Sequence, residues 1–165
     1  MKIIKNLYNR KVFIDTNAFI YFLTGTCNDS TKEIFKEGSL KKIKLITNTR
    51  VIDELLFKIM IIEAKTKFKI EKKVIQKLKE NKNLVKELSS GCKKVVSFLR
   101  DLNVEIIEIK KEALFEIPEL MEKFGLFGND ALILKIMKER NLKYLLTADK
   151  DFENIDWIKI INPKN

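Results

Sequence analysis

Short apolar runs alternate with longer helical segments along this chain, and this alternation limits its possible folds more than any other feature. Val, Ile, Leu and aromatic residues dominate the short runs, which predict five strands at residues 12–14, 45–46, 104–109, 144–147 and 158–160. Apolar residues at helical spacing predict helices at residues 17–23, 31–36, 50–65, 66–101 (two helices), 111–123 and 130–140. Parallel strands need crossover connections, usually helices, so the order predicts an α/β fold with three layers around a mostly parallel, roughly five-stranded sheet.

Local signals indicate where several helices begin or break. Ser30 and Thr49 come directly before apolar helical stretches, and both are predicted N-caps. Pro118 lies inside the predicted helix 111–123 and is expected to break or kink it, because proline lacks the backbone N–H that the helix needs. The chain has no internal repeat and no low-complexity linker, so we expect residues 1–165 to form a single domain.

Positive charge is concentrated in one part of the sequence. The 165 residues include 33 Lys and Arg against 23 Asp and Glu, which gives a net charge of +10. Residues 63–100 contain twelve basic and four acidic residues, so this segment alone carries +8. The two helices predicted for residues 66–101 are either a solvated hairpin with lysine outside or a basic arm beside a site that handles phosphates. Charge alone favours neither interpretation.

The absence of histidine excludes several kinds of active site. No His occurs in the sequence, so Ser-His-Asp and Cys-His nucleophile systems, His-ligated zinc and imidazole acid–base chemistry are all ruled out. Cys27 and Cys92 are too far apart for a CxxC pair, and no disulfide framework or cysteine-rich metal site is expected. Any catalysis must therefore use carboxylates, lysines, hydroxyls or a bound metal.

The sequence predicts a soluble, cytoplasmic protein without a membrane partner. Its longest unbroken apolar run is residues 18–23, which is far shorter than the roughly 20 residues that a membrane-spanning helix needs. The first ten residues are too charged to contain the apolar segment of a secretory signal.

Four acidic residues fall where the predicted fold would bring them together. Asp15 and Asp149 follow two of the strands, Asp130 lies in the first turn of a helix, and Glu54 lies one turn into another. In an open parallel sheet the carboxyl ends of the strands share one edge, where ligands bind. Clustered carboxylates need a cation to stay ionised together, and oxygen ligands suit Mg²⁺ or Mn²⁺. Taken singly, each acid is also explained as a cap, a turn residue or a surface charge.

The motifs around these acids resemble a known family. They are Val-Phe-Ile-Asp-Thr-Asn at 12–17, Glu54, Gly-Asn-Asp-Ala-Leu-Ile at 128–133 and Leu-Thr-Ala-Asp-Lys-Asp-Phe at 146–152. In this order they resemble the PIN-domain ribonucleases, and most closely the toxins of prokaryotic VapBC toxin–antitoxin pairs. The resemblance extends from about residue 10 to residue 160.

This resemblance implies a fold, a reaction and a set of site residues. The implied reaction is the cutting of single-stranded RNA by water that one or two Mg²⁺ or Mn²⁺ ions activate. The implied catalytic residues are Asp15, Glu54, Asp130 and Asp149, and the implied metal ligands among them are Asp15, Asp130 and Asp149. The implied supporting residues are Asn17, Thr147 and Asp151.

Two of these positions have a neighbouring alternative. Asp53 precedes Glu54, and adjacent helical residues point about 100° apart, so we expect only one of them to reach the site. The resemblance favours Glu54, because its position fits the family best. Either Asp149 or Asp151 could face the metal.

The resemblance also gives residues 66–101 an expected role. In similar proteins the helices at this place form a protruding clip, which serves in dimers and in grasping the antitoxin. Residues 66–101, here called the clip, are longer than in compact members of the family. A protein antitoxin and a second copy of the chain are accordingly expected partners, beside single-stranded RNA.

Two other functions compete with a metal-dependent nuclease. A haloacid-dehalogenase-like phosphatase also has an aspartate at the end of its first strand, where it would use Asp15 as a covalent nucleophile. That family has a second acid two residues later, whereas this chain has Asn17. A non-catalytic RNA-binding or scaffold PIN domain is the other alternative, although such proteins usually lose one or more of the acids.

Overall fold

The computed structural model describes residues 2–164 and contains one five-stranded parallel sheet. Its strands are β1 (Lys11–Ile14), β2 (Lys44–Asn48), β3 (Glu105–Ile107), β4 (Tyr144–Leu146) and β5 (Lys159–Ile161). The strand order is β3-β2-β1-β4-β5, and every neighbouring pair is parallel. The predicted α/β fold with a five-stranded parallel sheet is therefore confirmed.

Helices connect the strands and cover the sheet. They are α1 (Lys2–Lys5), α2 (Thr16–Leu23), α3 (Asp29–Ser39), α4 (Thr49–Lys67), α5 (Val74–Glu80), α6 (Lys82–Asp101), α7 (Lys111–Phe115), α8 (Ile117–Phe124) and α9 (Gly128–Glu139), with a short 3-10 helix at Lys150–Phe152. Helices α2, α3, α4 and α6 pack on one another, and α7, α8 and α9 form a second group. Within residues 2–164 no helix is both long and apolar enough to cross a membrane.

Burial of the central strand, β1, explains why residues 12–14 are all apolar. In β1, residues Val12, Phe13 and Ile14 are fully buried, as expected for a parallel strand that is covered on both faces. Phe13 lies opposite Ile46 of β2 and Leu145 of β4. By contrast β3 is an edge strand, and it is shorter than the predicted segment 104–109.

Two of the predicted helix caps are wrong, and the prediction for Pro118 is confirmed. Helix α3 is capped by Asn28, whose side-chain oxygen accepts from the backbone N of Thr31 at 2.9 Å, so the expected cap Ser30 lies inside the helix. Helix α4 is capped by Asn48 in the same way, and Thr49 is its first residue. Pro118 lies in the first turn of α8, where the missing N–H leaves no helical hydrogen bond unmade.

The clip is made of α5 and α6, which pack against α4. One residue of α4 and four of the clip form a small apolar cluster separate from the main core: Ala64, Val74, Leu78, Leu84 and Leu88. Val95 and Leu99, farther along α6, belong to the main core. Gly91 of α6 lies so close to Glu63 of α4 that a Cβ at this position would overlap the Glu63 carboxylate. Helices α4 and α6 therefore pack closely along this face.

Truncation of Phe13 tests the central position of β1. We expect Phe13→Ala to lower the free energy of unfolding by about 3–5 kcal/mol, because it removes a fully buried ring from the middle of the core. The measurement is urea denaturation followed by far-UV circular dichroism. The matched control is Phe115→Ala, which removes a ring that is 77% exposed and should change the free energy by less than about 0.5 kcal/mol. Equal losses in the two variants would contradict this assignment of the core.

Candidate metal centre

The candidate site lies where the chain order reverses across the sheet. From β1 the sheet continues to β2 and β3 on one side and to β4 and β5 on the other. The carboxyl ends of β1 and β4 therefore flank a switch point, the usual place for a ligand in an open parallel sheet. Asp15 directly follows β1, and Asp149 lies three residues after β4. Asp130 lies in the first turn of α9, the helix that precedes β4.

Asp15 is a buried carboxylate that three donors hold in place. Its Oδ1 accepts from the backbone N of Thr16 at 2.6 Å, and its Oδ2 accepts from Asn17 Nδ2 at 2.5 Å and Thr147 Oγ1 at 2.7 Å. The side chain also caps α2. Burial raises the pKa of Asp15, while the hydrogen bonds from Thr147 and Thr16 act in the opposite direction. These contacts fix the carboxylate and join β1 to the segment after β4.

Asn17 and Thr147 extend this network to the segment that carries Asp149. Asn17 Oδ1 accepts from the backbone N of Ala148 at 2.8 Å, and Asn17 Nδ2 also donates to Thr147 Oγ1 at 3.1 Å. Thr147 Oγ1 accepts in turn from the backbone N of Asp149 at 3.0 Å. The structure thus brings Asn17 and Thr147, two of the three predicted supporting residues, to the site, where they fix the path of the chain between β4 and Asp149.

Three aspartates lie close enough together to share a cation. One carboxylate oxygen each of Asp130, Asp149 and Asp151 lies within 4.8 Å of the other two. The pKa of Asp130 is raised to about 7, first by burial and then by the negative charges of Asp15, Asp149, Asp151 and Glu54, in that order. The donor set consists of carboxylate oxygens, which suits a hard cation such as Mg²⁺ or Mn²⁺. A cation would also relieve the mutual repulsion of these acids.

The sequence alternatives at the last motif lie side by side in the structure. Asp149 is partly buried and Asp151 is exposed, and the backbone N of Asp151 donates to Asp149 Oδ1 at 2.9 Å. Both side chains belong to the group that could hold a cation. Asp15 is outside this group of three, and both of its oxygens accept hydrogen bonds from the protein.

Glu54 and Asp53 point in different directions, as the helical geometry predicts. Glu54 Oε2 accepts from Thr16 Oγ1 at 3.1 Å and from Asn129 Nδ2 at 3.0 Å, so this carboxylate lies between α2 and α9. Asp53 is exposed and pairs with Arg50 at 3.4 Å on the outer side of α4. The five acids that gather at this edge, here called the acidic rim, are Asp15, Glu54, Asp130, Asp149 and Asp151.

Two residues at the rim were not recognised from the sequence as parts of a site. Asn129 belongs to the third motif, and it donates to Glu54 while its buried Oδ1 has no hydrogen-bond partner among the described residues. Lys58 Nζ pairs with Glu54 Oε1 at 2.6 Å. The spacing of four residues between Glu54 and Lys58 on one helix is the signal that could have identified the lysine.

Comparison of the sequence with known proteins finds one family and several relatives. Residues 12–158 match the family described as PIN domain. Ribonuclease VapC2 of Methanocaldococcus jannaschii is 30% identical over 154 residues, which cover 92% of this chain and 93% of that protein. Ribonuclease VapC6 of the same organism is 26% identical over 153 residues, which cover 91% of this chain and 95% of that protein.

Solved structures show the same fold. A toxin–antitoxin complex from Klebsiella pneumoniae superposes with a TM-score of 0.57 at 18% identity, covering 93% of this chain and 98% of that chain. The structure of VapBC2 from Rickettsia felis, bound to a DNA fragment from its promoter, superposes with a TM-score of 0.57 at 22% identity. The match covers 92% of this chain and 98% of that chain. Since the family match spans most of the sequence and a relative of 30% identity covers nearly all of it, this chain belongs to the PIN domain family.

Proposed function

We propose that this chain is a VapC-type, metal-dependent endoribonuclease that hydrolyses phosphodiester bonds in single-stranded RNA. The observation that carries the proposal is the group of three aspartates, Asp130, Asp149 and Asp151, with carboxylate oxygens within 4.8 Å of one another. The names of the two relatives, both ribonucleases with matches over more than nine tenths of this chain, support the same reaction. Cellular RNA is the substrate, so we assign the protein to the cytoplasm.

Four acids are the proposed ligands of Mg²⁺ or Mn²⁺: Asp15, Asp130, Asp149 and Asp151. The bound ion supplies a more acidic water and neutralises charge on the phosphate that is attacked. Asp15 presents its negative charge from a fixed position, because three donors hold its oxygens. Asn17 and Thr147 keep the segment that bears Asp149 next to Asp15.

Glu54 completes the proposed catalytic set from the opposite side. Hydrogen bonds from Thr16 and Asn129 fix its Oε2, so the carboxylate stays at the rim and does not turn outward into solvent. Its charge adds to the field that attracts a divalent cation to the acidic rim. The buried Oδ1 of Asn129 has no hydrogen-bond partner among the described residues, and an ordered water would satisfy it.

A protein antitoxin is the proposed partner. The structural neighbours are described as a toxin–antitoxin complex and as VapBC2, which supports this assignment. An apolar cavity of about 640 Å³ opens beside the rim between α2, α4 and α5, and Ile20, Phe57, Ile61 and Ile62 contribute to its lining. Exposed apolar surface of this kind favours a protein partner. Assembly of two copies of the chain stays a prediction.

The alternative functions fit the site less well. A phosphatase with Asp15 as nucleophile needs a free carboxylate oxygen, whereas both oxygens of Asp15 accept short hydrogen bonds in a buried position. Asn17 donates to Asp15 and to Thr147, and a second acid in its place would repel Asp15. A non-catalytic PIN domain would gain nothing from the acidic rim, because its acids repel one another and raise the pKa of Asp130.

Metal-dependent cleavage is the direct test of the proposal. We expect wild-type protein to cut a mixed single-stranded RNA in Mn²⁺ or Mg²⁺ and to lose the activity in EDTA. Asp15→Asn and Asp130→Asn should each lower cleavage on the order of 100-fold or more, because each removes negative charge that the metal needs. The measurement is the release of fluorescent fragments from this RNA, labelled with a fluorophore. RNA binding without cleavage in either metal would favour a binding module, and a phospho-enzyme would favour the phosphatase.

The adjacent acids of α4 provide an internal comparison. We expect Glu54→Gln to lower kcat/KM by about 10-fold or more, because it removes a charge that Thr16 and Asn129 orient toward the rim. Asp53→Asn is the matched control, since it makes the same chemical change on the exposed side of the helix. It should leave kcat/KM within about twofold of wild type. A larger loss for Asp53→Asn than for Glu54→Gln would assign the catalytic role to Asp53.

The raised pKa of Asp130 predicts how the metal-free protein responds to pH. Its pKa is about 7 in the folded chain against 3.8 as the ordinary value, so between these values the folded state binds the proton more tightly and stability falls as pH rises. In EDTA at pH 8, Asp130→Asn should raise the free energy of unfolding by about 1–2 kcal/mol, allowing for partial solvent exposure. The gain should shrink toward pH 4.5.

Thermal denaturation at a series of pH values measures this gain. Saturating Mn²⁺ should reverse the order of the two proteins at pH 8, because the metal stabilises the wild type more than the variant. A gain that is the same at pH 4.5 and pH 8 would contradict the electrostatic origin of the effect.

A further inference from the structure

One basic side chain lies at the acidic rim, and neither the proposed metal site nor the fold requires it. Among residues 2–164, Lys58 is the only Lys or Arg that pairs with a rim acid, through its Nζ at 2.6 Å from Glu54 Oε1. The other ion pairs of the described chain lie elsewhere on the surface or around Glu116 and Lys135. A cation at this place therefore calls for an explanation.

Lys58 is not what holds Glu54 in place. Hydrogen bonds from Thr16 and Asn129 fix Glu54 through Oε2, whereas Lys58 contacts the other oxygen. The Lys58 side chain is 45% exposed, and such helical pairs at a spacing of four contribute only about 0.3–0.5 kcal/mol to stability. The ammonium group can therefore leave Glu54 at little cost.

The position of Lys58 suits contact with an anion that approaches the rim. Its charge reaches the buried centre of the site, where it lowers the pKa of Asp15 against the larger effect of burial. Its side chain also lines the cavity between α2, α4 and α5, so it stands between that opening and the acids. A polyanion that enters the rim meets negative charge from five acids, and Lys58, which already pairs with one of them, offers it a compensating cation.

We propose that Lys58 is a substrate-binding residue whose Nζ exchanges Glu54 Oε1 for a non-bridging oxygen of an RNA phosphate when RNA occupies the rim. This inference rests on the proposed ribonuclease function. The exchange breaks one ion pair and forms another, so no proton or electron is transferred. It also releases Glu54 Oε1, which then faces the site and is no longer paired with a lysine.

The test compares three lysine variants for the salt dependence of RNA binding. An Asp130→Asn background blocks cleavage, and the Kd for a labelled single-stranded RNA is measured in Mg²⁺ at several KCl concentrations. Each phosphate contact adds about 0.7 to the slope of log K against log [KCl] for a single strand. We expect Lys58→Met to lower this slope by about 0.7 and Lys58→Arg to preserve it. Lys65→Met is the matched control, because Lys65 lines the same cavity from the same helix, and it should leave the slope unchanged.

Cleavage by the same lysine variants in the otherwise wild-type chain completes the test. Lys58→Met should lower kcat/KM about 10-fold or more, mainly through KM, since a lost charged hydrogen bond weakens binding by this amount. An unchanged slope for Lys58→Met, or equal decreases for Lys58→Met and Lys65→Met, would overturn the phosphate contact. A wild type that binds RNA with the predicted Lys58 dependence but cuts nothing would overturn the ribonuclease and leave the contact standing. A wild type that neither binds nor cuts RNA would overturn both.

Discussion

The hydrogen bonds that converge on Asp15 connect parts of the chain that are more than 130 residues apart in sequence. Thr147 reaches Asp15 directly, and Asn17 ties the same carboxylate to the backbone of Ala148. A buried carboxylate is expensive unless donors compensate its loss of water, and here three donors do so. The segment that bears Asp149 and Asp151 takes its position from this arrangement, because it starts at Thr147.

Much of the fold follows from the sequence, and the parts that do not have clear physical causes. Apolar residues indicated all five strands, and the uninterrupted apolar run at residues 12–14 of β1 reflects burial on both faces of the sheet. The order of the strands was not predictable, since burial patterns show which residues are inside and say nothing of which strands are neighbours. The caps of α3 and α4 were misplaced because Asn28 and Ser30, like Asn48 and Thr49, are all good capping residues within two positions of each other.

The site was predictable as a set of acids and much less so as a geometry. Spacing and the resemblance to PIN-domain proteins indicated four carboxylates. Helical geometry admitted only one of Asp53 and Glu54, and the resemblance favoured Glu54. The contribution of Asp151 depends on the turn that follows β4, and the contacts of Asn129 and Lys58 depend on side-chain conformations. A sequence pattern contains neither kind of information. The roles of the individual acids, the single-domain organisation and the assembly into dimers stay predictions.

The small apolar cluster between α4 and the clip divides α6 between two cores. Leu84 and Leu88 in the first half of α6 belong to this cluster, whereas Val95 and Leu99 belong to the core around β1. The outer part of the clip, α5 and the start of α6, therefore depends on a core of only five buried residues, and we expect its amide hydrogens to exchange faster than those of β1 and β4. A change of length in this outer part would leave in place the residues of α6 that pack with the sheet.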